Sequence, residues 1–286
     1  MQENHPVPIG PIKTRARILS LRFFGRLLAA ALALYVFQYV LNLVISLADM
    51  MIFGTSTEVT VVGINVSVTY EVFRLLATML WAPIALGVSG FYLGAARGEP
   101  GRFADIFSWI SDKEKRRISV KYGVFQVVFG LITFPLQTLP VYYLYEKLQE
   151  FVANAQTSLS VNTSSLVTRE TSMALVMILI YALVSLPFLA LPYVLCDLYK
   201  RGFGKCFRYS TRLMLNFVPR FVLFALSFAL WILFGSFIIV LLIFFMVYFR
   251  VALVSLIDYL RVGTAREPYF AEEEKPDDSD EEERFS

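Results

Sequence analysis

The sequence contains very little histidine or cysteine and few charged residues. Its 286 residues include one His and two Cys, and only 17% are charged. One histidine leaves little scope for a metal site or acid–base catalysis, and two cysteines cannot form a disulfide framework. Soluble domains usually carry ~25% charged residues, so the polar surface of an ordinary globule is also missing. The composition therefore argues against most metalloenzymes, disulfide-rich secreted proteins and soluble domains.

The sequence contains several long apolar runs, and 57% of its residues are hydrophobic. A helix that crosses a bilayer core of ~30 Å needs ~20 apolar residues. Four runs have this length, and a fifth block, residues 221–260, is long enough for two helices joined by a turn at Gly235-Ser236. The predicted spans are residues 27–48, 75–96, 123–145, 173–195, 219–235 and 237–260.

The last block also allows an alternative with five spans. A single tilted helix would then end at Phe249, and the C-terminus would lie on the opposite side of the membrane. Six spans fit the lengths better, because this single helix would measure ~43 Å and would need strong tilt to hide its excess over the hydrocarbon core of ~30 Å.

Lysine and arginine alternate between the two sides of the predicted membrane. Five precede the first span, and the successive connections hold one, seven, two, six and none. The positive-inside rule then places both termini of this multi-pass protein in the cytoplasm. The predicted organisation is a basic lead-in helix (1–26), a transmembrane domain (27–261) and an acidic disordered tail (262–286).

The first outer connection predicts a small extracellular β-hairpin. Apolar and polar residues alternate from Ile64 to Tyr70, and Glu58–Val62 is an equally β-rich partner across Gly63. The predicted fold class is thus an all-α polytopic membrane protein with six kinked spans, two cytoplasmic amphipathic helices and this hairpin.

The two amphipathic helices come from periodic aromatic residues in the basic connections. Such helices lie in the membrane interface, with apolar side chains in the lipid and basic ones near anionic headgroups. The alternative is that the charges only fix the topology. The first stripe is Phe103, Ile106, Phe107 and Ile110; the second is Phe203, Phe207, Met214 and Phe217, flanked by Lys205, Arg208 and Arg212.

Arg250 lies near the middle of the predicted sixth span, where an arginine costs ~3 kcal/mol. We expect it to face the protein interior and to find a partner in Asp258, Asp197 or a carbonyl freed by proline. It could hold an anionic substrate or lipid, or it could form a structural ion pair at the cytoplasmic interface. The prolines at 83, 135, 140, 187 and 192 predict kinks in spans two, three and four.

Three glycines, Gly87, Gly90 and Gly94, lie on one face of the second span. Small residues at this spacing allow helices to approach closely, so they predict packing within the bundle, with homodimerisation as the alternative.

Signals for enzymatic chemistry are absent. The predicted spans hold no carboxylate pair, no histidine-based metal cluster and no nucleophile elbow, and glycine-rich phosphate loops are missing too. We therefore expect no catalytic site, no cofactor, no metal and no nucleic-acid partner. The leading hypothesis is a non-enzymatic membrane component that binds anionic lipid or a partner protein through its cytoplasmic face. The alternative is a transporter or exporter subunit with a site near the kinked spans and Arg250.

Several motifs also resemble a known family, in the right order over about residues 12–262. They are Phe91–Leu93, Ala96–Pro100 and Phe103–Phe107, then Pro192–Asp197, and finally Ser210 and Met214 followed by Leu226–Trp231. These stretches are similar to the bacterial membrane proteins called domain of unknown function nine-seven-five. The resemblance implies six helices in a bacterial plasma membrane, and it implies no activity and no functional residues.

Overall fold

The computed structural model describes residues 9–52, 58–61, 64–140, 143–144, 169–228 and 239–264, which are mostly helical. The chain is therefore a helical protein with several membrane-capable helices, as the apolar runs predicted. Five stretches in the described ranges are long and apolar enough to cross a membrane: Phe24–Ile52, Val68–Ala96, Lys113–Gln137, Ser172–Arg201 and Ile243–Arg261.

Two helices begin the described chain, α1 (Ile9–Arg22) and α2 (Phe24–Ile52). The 29 residues of α2 correspond to a length of ~43 Å at ~1.5 Å per residue. That length exceeds the hydrocarbon core of ~30 Å. The helix extends beyond the predicted first span, residues 27–48, at both ends.

A two-stranded antiparallel sheet follows, formed by β1 (Glu58–Val61) and β2 (Ile64–Ser67) with Val59 opposite Val66. The predicted strand extended to Tyr70, but helix α3 (Val68–Ala96) already begins at Val68. The acidic Glu71 in its first turn favours this helix start, because the N-terminal end of the helix dipole is positive. The extracellular position of the sheet stays a prediction.

The C-terminus of α3 is a Schellman motif built on a glycine. The amide of Glu99 donates to the Gly94 carbonyl at 2.9 Å, and the amide of Gly98 donates to Ala95 at 3.0 Å. Gly98 has a φ of +92°, a left-handed backbone conformation that residues with a Cβ atom rarely adopt. Pro100 follows and cannot continue a helix. The structure thus gives the Ala96–Pro100 motif a role in ending α3.

A 3₁₀ turn (Phe103–Phe107) and a single helical turn, α4 (Ser108–Ser111), connect α3 to α5 (Lys113–Gln137). The Asp112 carboxylate caps α5 by accepting from the amide of Glu114 at 2.9 Å. Helices α3 and α5 continue through Pro83 and Pro135. The third predicted span reached residue 145, but α5 ends at Gln137.

The predicted fourth span is broken rather than only kinked. Helix α6 (Arg169–Ser185) is followed by a 3₁₀ turn (Leu186–Phe188) and by α7 (Leu191–Leu198). Pro187 and Pro192 lie in the turn and at the start of α7, where each lacks the amide hydrogen that a continuous helix needs.

The last two described helices are α8 (Phe203–Leu226) and α9 (Ile239–Thr264). The predicted amphipathic segment 203–217 and the start of the predicted fifth span form one continuous helix, α8. The predicted turn at Gly235-Ser236 lies outside the described residues, and six spans stay a prediction.

The described chain forms two compact units. The first unit comprises the described parts of Met1–Phe24, Tyr92–Pro100 and Leu215–Ser286; the second comprises those of Gly25–Phe91 and Gly101–Met214. The predicted division at residues 26 and 261 stays a prediction.

In the first unit, α1 packs along α9 and buries Ile12 and Ala16. The Lys13 ammonium donates to the Ser227 carbonyl at 3.1 Å, just beyond the end of α8, and lies 4.3 Å from the centre of the Phe228 ring. A cation is favourable there because the last helical carbonyls carry partial negative charge. Burial lowers the pKa of Lys13.

In the second unit, glycines of α5 allow close approach to α3. A Cβ at Gly123 would lie 3.0 Å from the Met79 Cα, and one at Gly130 would lie 2.7 Å from Leu75 Cδ2. The two glycines are seven residues apart and share one face of α5, the arrangement by which small residues let membrane helices pack tightly.

Gly87 approaches its neighbours more closely than Gly90, another of the three predicted packing glycines. A Cβ at Gly87 would overlap the carbonyl oxygen of Ile106, whereas one at Gly90 would meet Cys196 Sγ at 3.5 Å, an ordinary contact. The tight packing at Gly87 therefore involves the 3₁₀ turn rather than another spanning helix.

We predict that Gly87→Ala destabilises the protein by ~1–3 kcal/mol or more, because the turn must move to admit a methyl group. Thermal unfolding in detergent measures the effect. Gly90→Ala is the matched control, and it should be neutral or slightly stabilising because alanine favours helices by ~1 kcal/mol over glycine. Equal melting temperatures for the two variants would contradict the packing described for Gly87.

Candidate functional site

The basic residues predicted to bind lipid lie on one face of α8. Lys205, Arg208 and Arg212 are exposed, while Cys206 and Met214 on the opposite face are 2% and 0% exposed. This arrangement follows from the helical period, because residues three and four apart share a face. The structure therefore brings the three cations together in a row, which we call the α8 basic face.

Phe207 is half-buried and packs against other aromatic side chains of the protein. Its ring lies 5.3 Å from that of Phe125 in α5 and 5.4 Å from that of Phe188 in the broken span. Phe203 and Phe129 belong to the same cluster. Ring contacts at these separations are typical of aromatic packing. Phe207 therefore holds the start of α8 against the other helices of the second unit.

The stripe predicted at residues 103–110 is not a single apolar helix face. Ile106 is 1% exposed, whereas Phe103, Phe107 and Ile110 are 42%, 47% and 44% exposed. The buried residues of this segment are Ile106 in the 3₁₀ turn and Trp109 in α4, rather than the expected set. The three exposed apolar side chains remain available to lipid or to another molecule.

Arg250 lies within the first unit, on α9. Its guanidinium carbon is 4.9 Å from the centre of the ring of Tyr92, which is fully buried. An arginine over an aromatic face is stabilised by ~2 kcal/mol or more when desolvated. The ring of Tyr92, a residue that the analysis of the sequence did not consider as a partner, thus stabilises the charge.

Asp258, predicted as a partner of Arg250, pairs with two other arginines. It accepts from Arg97 at 2.8 Å and from Arg261 at 3.3 Å. The first pair connects the end of α3 to α9 within the first unit. Asp197 is exposed near the end of α7, in the second unit.

A polar cavity in the second unit was missed by the sequence reasoning. Its volume is about 240 Å³. Four helices line it, α2, α3, α5 and α6, and polar residues inside a membrane bundle commonly mark functional sites. The polar lining residues are Gln38, Asn42, Arg74, Thr78, Gln126, Gln137 and Tyr181.

An ion pair fixes Arg74, which lines this cavity. Arg74 Nε donates to Glu71 at 2.7 Å, and its Nη2 lies 2.6 Å from the same carboxylate oxygen. Nη2 also donates to the Thr138 hydroxyl at 3.3 Å. Glu71 is only 4% exposed, so its carboxylate is stabilised mainly by such contacts. The pair holds the guanidinium at the cavity wall.

One local signal could have indicated the cavity. Gln38 and Asn42 are four residues apart on α2, as are Arg74 and Thr78 on α3. Pairs at this spacing share a helix face, so each span carries a short polar stripe.

In the described ranges no group of three or more His, Cys, Asp or Glu residues is arranged to hold a metal ion. The chain matches no protein-family model, no curated protein and no solved structure. The resemblance drawn from the sequence motifs therefore stays an expectation.

Burial raises the pKa of the Cys206 thiol to about 11. Thiolate is the reactive form, so we predict that Cys206 reacts with maleimide at pH 7.4 about two orders of magnitude more slowly than a free cysteine. The rate should rise about tenfold per pH unit below the pKa. Labelling in a Cys196→Ser background, which leaves one thiol in the chain, measures it. Fast labelling before unfolding in detergent would contradict the buried position.

Proposed function

We propose that this protein is a non-enzymatic component of the plasma membrane that binds anionic lipid through its cytoplasmic face. The observation that carries the proposal is the α8 basic face, where Lys205, Arg208 and Arg212 are exposed in one row. The opposite side of α8 is buried in protein, so the row has a fixed orientation.

Other exposed cations of the same unit support this proposal. Lys113, Arg117 and Lys121 are exposed on the first turns of α5. Lys115 lies 5.7 Å from the centre of the Tyr199 ring, so the start of α5 is near the chain that leads into α8. An interface of many cations attracts anionic headgroups, at ~1 kcal/mol for each lysine or arginine near the surface.

The exposed Phe103, Phe107 and Ile110 supply the apolar part of the proposed interface. Aromatic and aliphatic side chains enter the boundary between headgroups and acyl chains, while basic side chains remain in the headgroup layer. An acidic segment of a partner protein could meet the same cations. Lipid is the preferred ligand because apolar and basic groups are both exposed.

We predict that changing Lys205, Arg208 and Arg212 together to glutamine reduces the preference for anionic lipid by about 100-fold, the equivalent of ~3 kcal/mol. Competition between phosphatidylglycerol and phosphatidylcholine for the protein in mixed nanodiscs measures the preference. The matched control exchanges the cations, as Lys205→Arg, Arg208→Lys and Arg212→Lys, and should retain it. An unchanged preference in the glutamine variant would refute the proposal.

A second candidate function is transport, as a transporter or exporter subunit. The broken fourth span supports it, because discontinuous helices form substrate sites in many transporters. Arg250 supports it as well, since an arginine near the middle of a spanning helix is a candidate for binding an anionic substrate.

For this candidate we predict that Arg250→Leu abolishes the flux of anionic amphiphiles into proteoliposomes, because the substrate loses its counter-charge. Arg250→Lys keeps the charge and should retain part of the flux. Melting temperatures of the two variants separate loss of transport from loss of folding. The absence of flux for anionic, neutral and cationic amphiphiles alike would reject the transport function.

A further inference from the structure

The cavity of the second unit contains more hydrogen-bonding capacity than its own residues use. Gln126 Nε2 donates to the Tyr122 hydroxyl at 3.1 Å, but Gln126 Oε1 is buried without a hydrogen-bond partner in the described part of the chain. The side chains of Asn42 and Tyr181 also make no hydrogen bond to described residues. A buried amide oxygen without a partner costs ~1–3 kcal/mol. Such a wall is suited to a ligand that donates and accepts hydrogen bonds.

Arg74 gives this cavity a preference for negative charge. Among the described residues that line the cavity, it is the one that carries a charge. Glu71 and Thr138 engage its Nε and Nη2, while Nη1 has no hydrogen bond to the described residues. A guanidinium held from behind by a carboxylate is pre-oriented to donate to an oxyanion, and phosphate and carboxylate are its preferred ligands.

Aromatic and aliphatic groups line the rest of the cavity, among them Trp81, Phe129 and Leu75. Its volume of about 240 Å³ corresponds to about eight water molecules at ~30 Å³ each. It therefore has room for a compact headgroup and not for a whole lipid.

Access to the cavity lies along α2. Gln38, at its rim, is exposed, and so are the neighbouring Tyr35, Tyr39 and Leu43, at 50%, 70% and 47%. Apolar residues exposed on a membrane-capable helix face acyl chains. The polar cavity thus meets the surface at a position where lipid chains would lie.

We propose that the cavity binds the phosphate or carboxylate group of an amphiphile whose apolar chain leaves past Gln38. Arg74 contacts the oxyanion, and Asn42, Gln126 and Tyr181 supply hydrogen bonds to the remaining polar atoms of the headgroup. A small free oxyanion has the same chemistry and could use the same contacts. The site is separate from the α8 basic face and does not depend on the function proposed for it.

Native mass spectrometry of the full-length protein, released from a nonionic detergent, tests the proposal with three probes. Phosphatidylglycerol carries oxyanion and chains, glycerol 3-phosphate carries the oxyanion alone, and diacylglycerol carries the chains alone. We expect one phosphatidylglycerol site that binds at least tenfold more tightly than either fragment. Equal binding of glycerol 3-phosphate supports the site and assigns it to a free oxyanion. Equal binding of diacylglycerol, or no saturable binding of any probe, overturns the proposal.

Variants locate the binding in the cavity. Asn42→Leu and Gln126→Leu each remove a hydrogen-bonding group and leave the ion pair intact, and each should weaken phosphatidylglycerol binding about tenfold. Ser46→Leu is the matched control on α2, because Ser46 is exposed and does not line the cavity. Unchanged binding in both cavity variants overturns the proposal.

A double variant tests the arginine without leaving a buried charge unpaired. Glu71→Gln with Arg74→Gln neutralises both partners, and it should abolish the preference for phosphatidylglycerol over diacylglycerol. If this variant does not fold, Arg74→Lys replaces it, with an expected loss of about tenfold because lysine cannot present the same planar set of donors. The triple glutamine variant of the α8 basic face should keep the tight site, which makes failure of one proposal distinguishable from failure of the other.

Discussion

The structure depends on one constraint: a polar side chain within a membrane-spanning helix must find its partners inside the protein. Each compact unit satisfies it around an arginine. In the first unit Arg250 of α9 lies against the ring of Tyr92 at the end of α3. In the second, Arg74 is held by Glu71 one turn away on α3 and reaches Thr138 beyond the end of α5. The charges thus join segments that are distant in sequence.

The same constraint acts together with close backbone packing. Lipid supplies no hydrophobic force that drives helices together, so tight contact must come from small residues. Gly123 and Gly130 place α5 directly against α3, at Met79 and Leu75. Gly130 also lines the polar cavity. The cavity therefore begins beside this close approach of α3 and α5.

Run length was sufficient to predict the helical membrane character, because it depends on local composition. Features set by contacts between segments were predicted less well. The alternation at Val68 and Tyr70 resembled a strand, yet both residues belong to α3. Ile106 looked like one member of an exposed stripe, but Gly87 leaves a space that it fills from the neighbouring turn. The polar pairs on α2 and α3 could indicate a polar helix face but not the cavity itself, since its described walls come from four helices and its polar groups converge only in the folded chain.

The two proposed lipid-binding sites are the cavity and the α8 basic face. They lie toward different ends of α3, and they differ in how strongly salt screens their charges. Arg74 and Gly87 are thirteen residues apart on that helix, which is ~20 Å at ~1.5 Å per residue. The cavity surrounds Arg74, whereas Gly87 packs on the turn that leads to the basic start of α5. Under the predicted orientation, the cavity belongs to the outer half of the bilayer and the α8 basic face to the inner surface. Exposed cations are screened by salt over ~8 Å, whereas a guanidinium held inside a cavity is screened much less. One membrane domain can therefore combine a loose, salt-sensitive attraction to the inner leaflet with a discrete site for one headgroup in the outer leaflet.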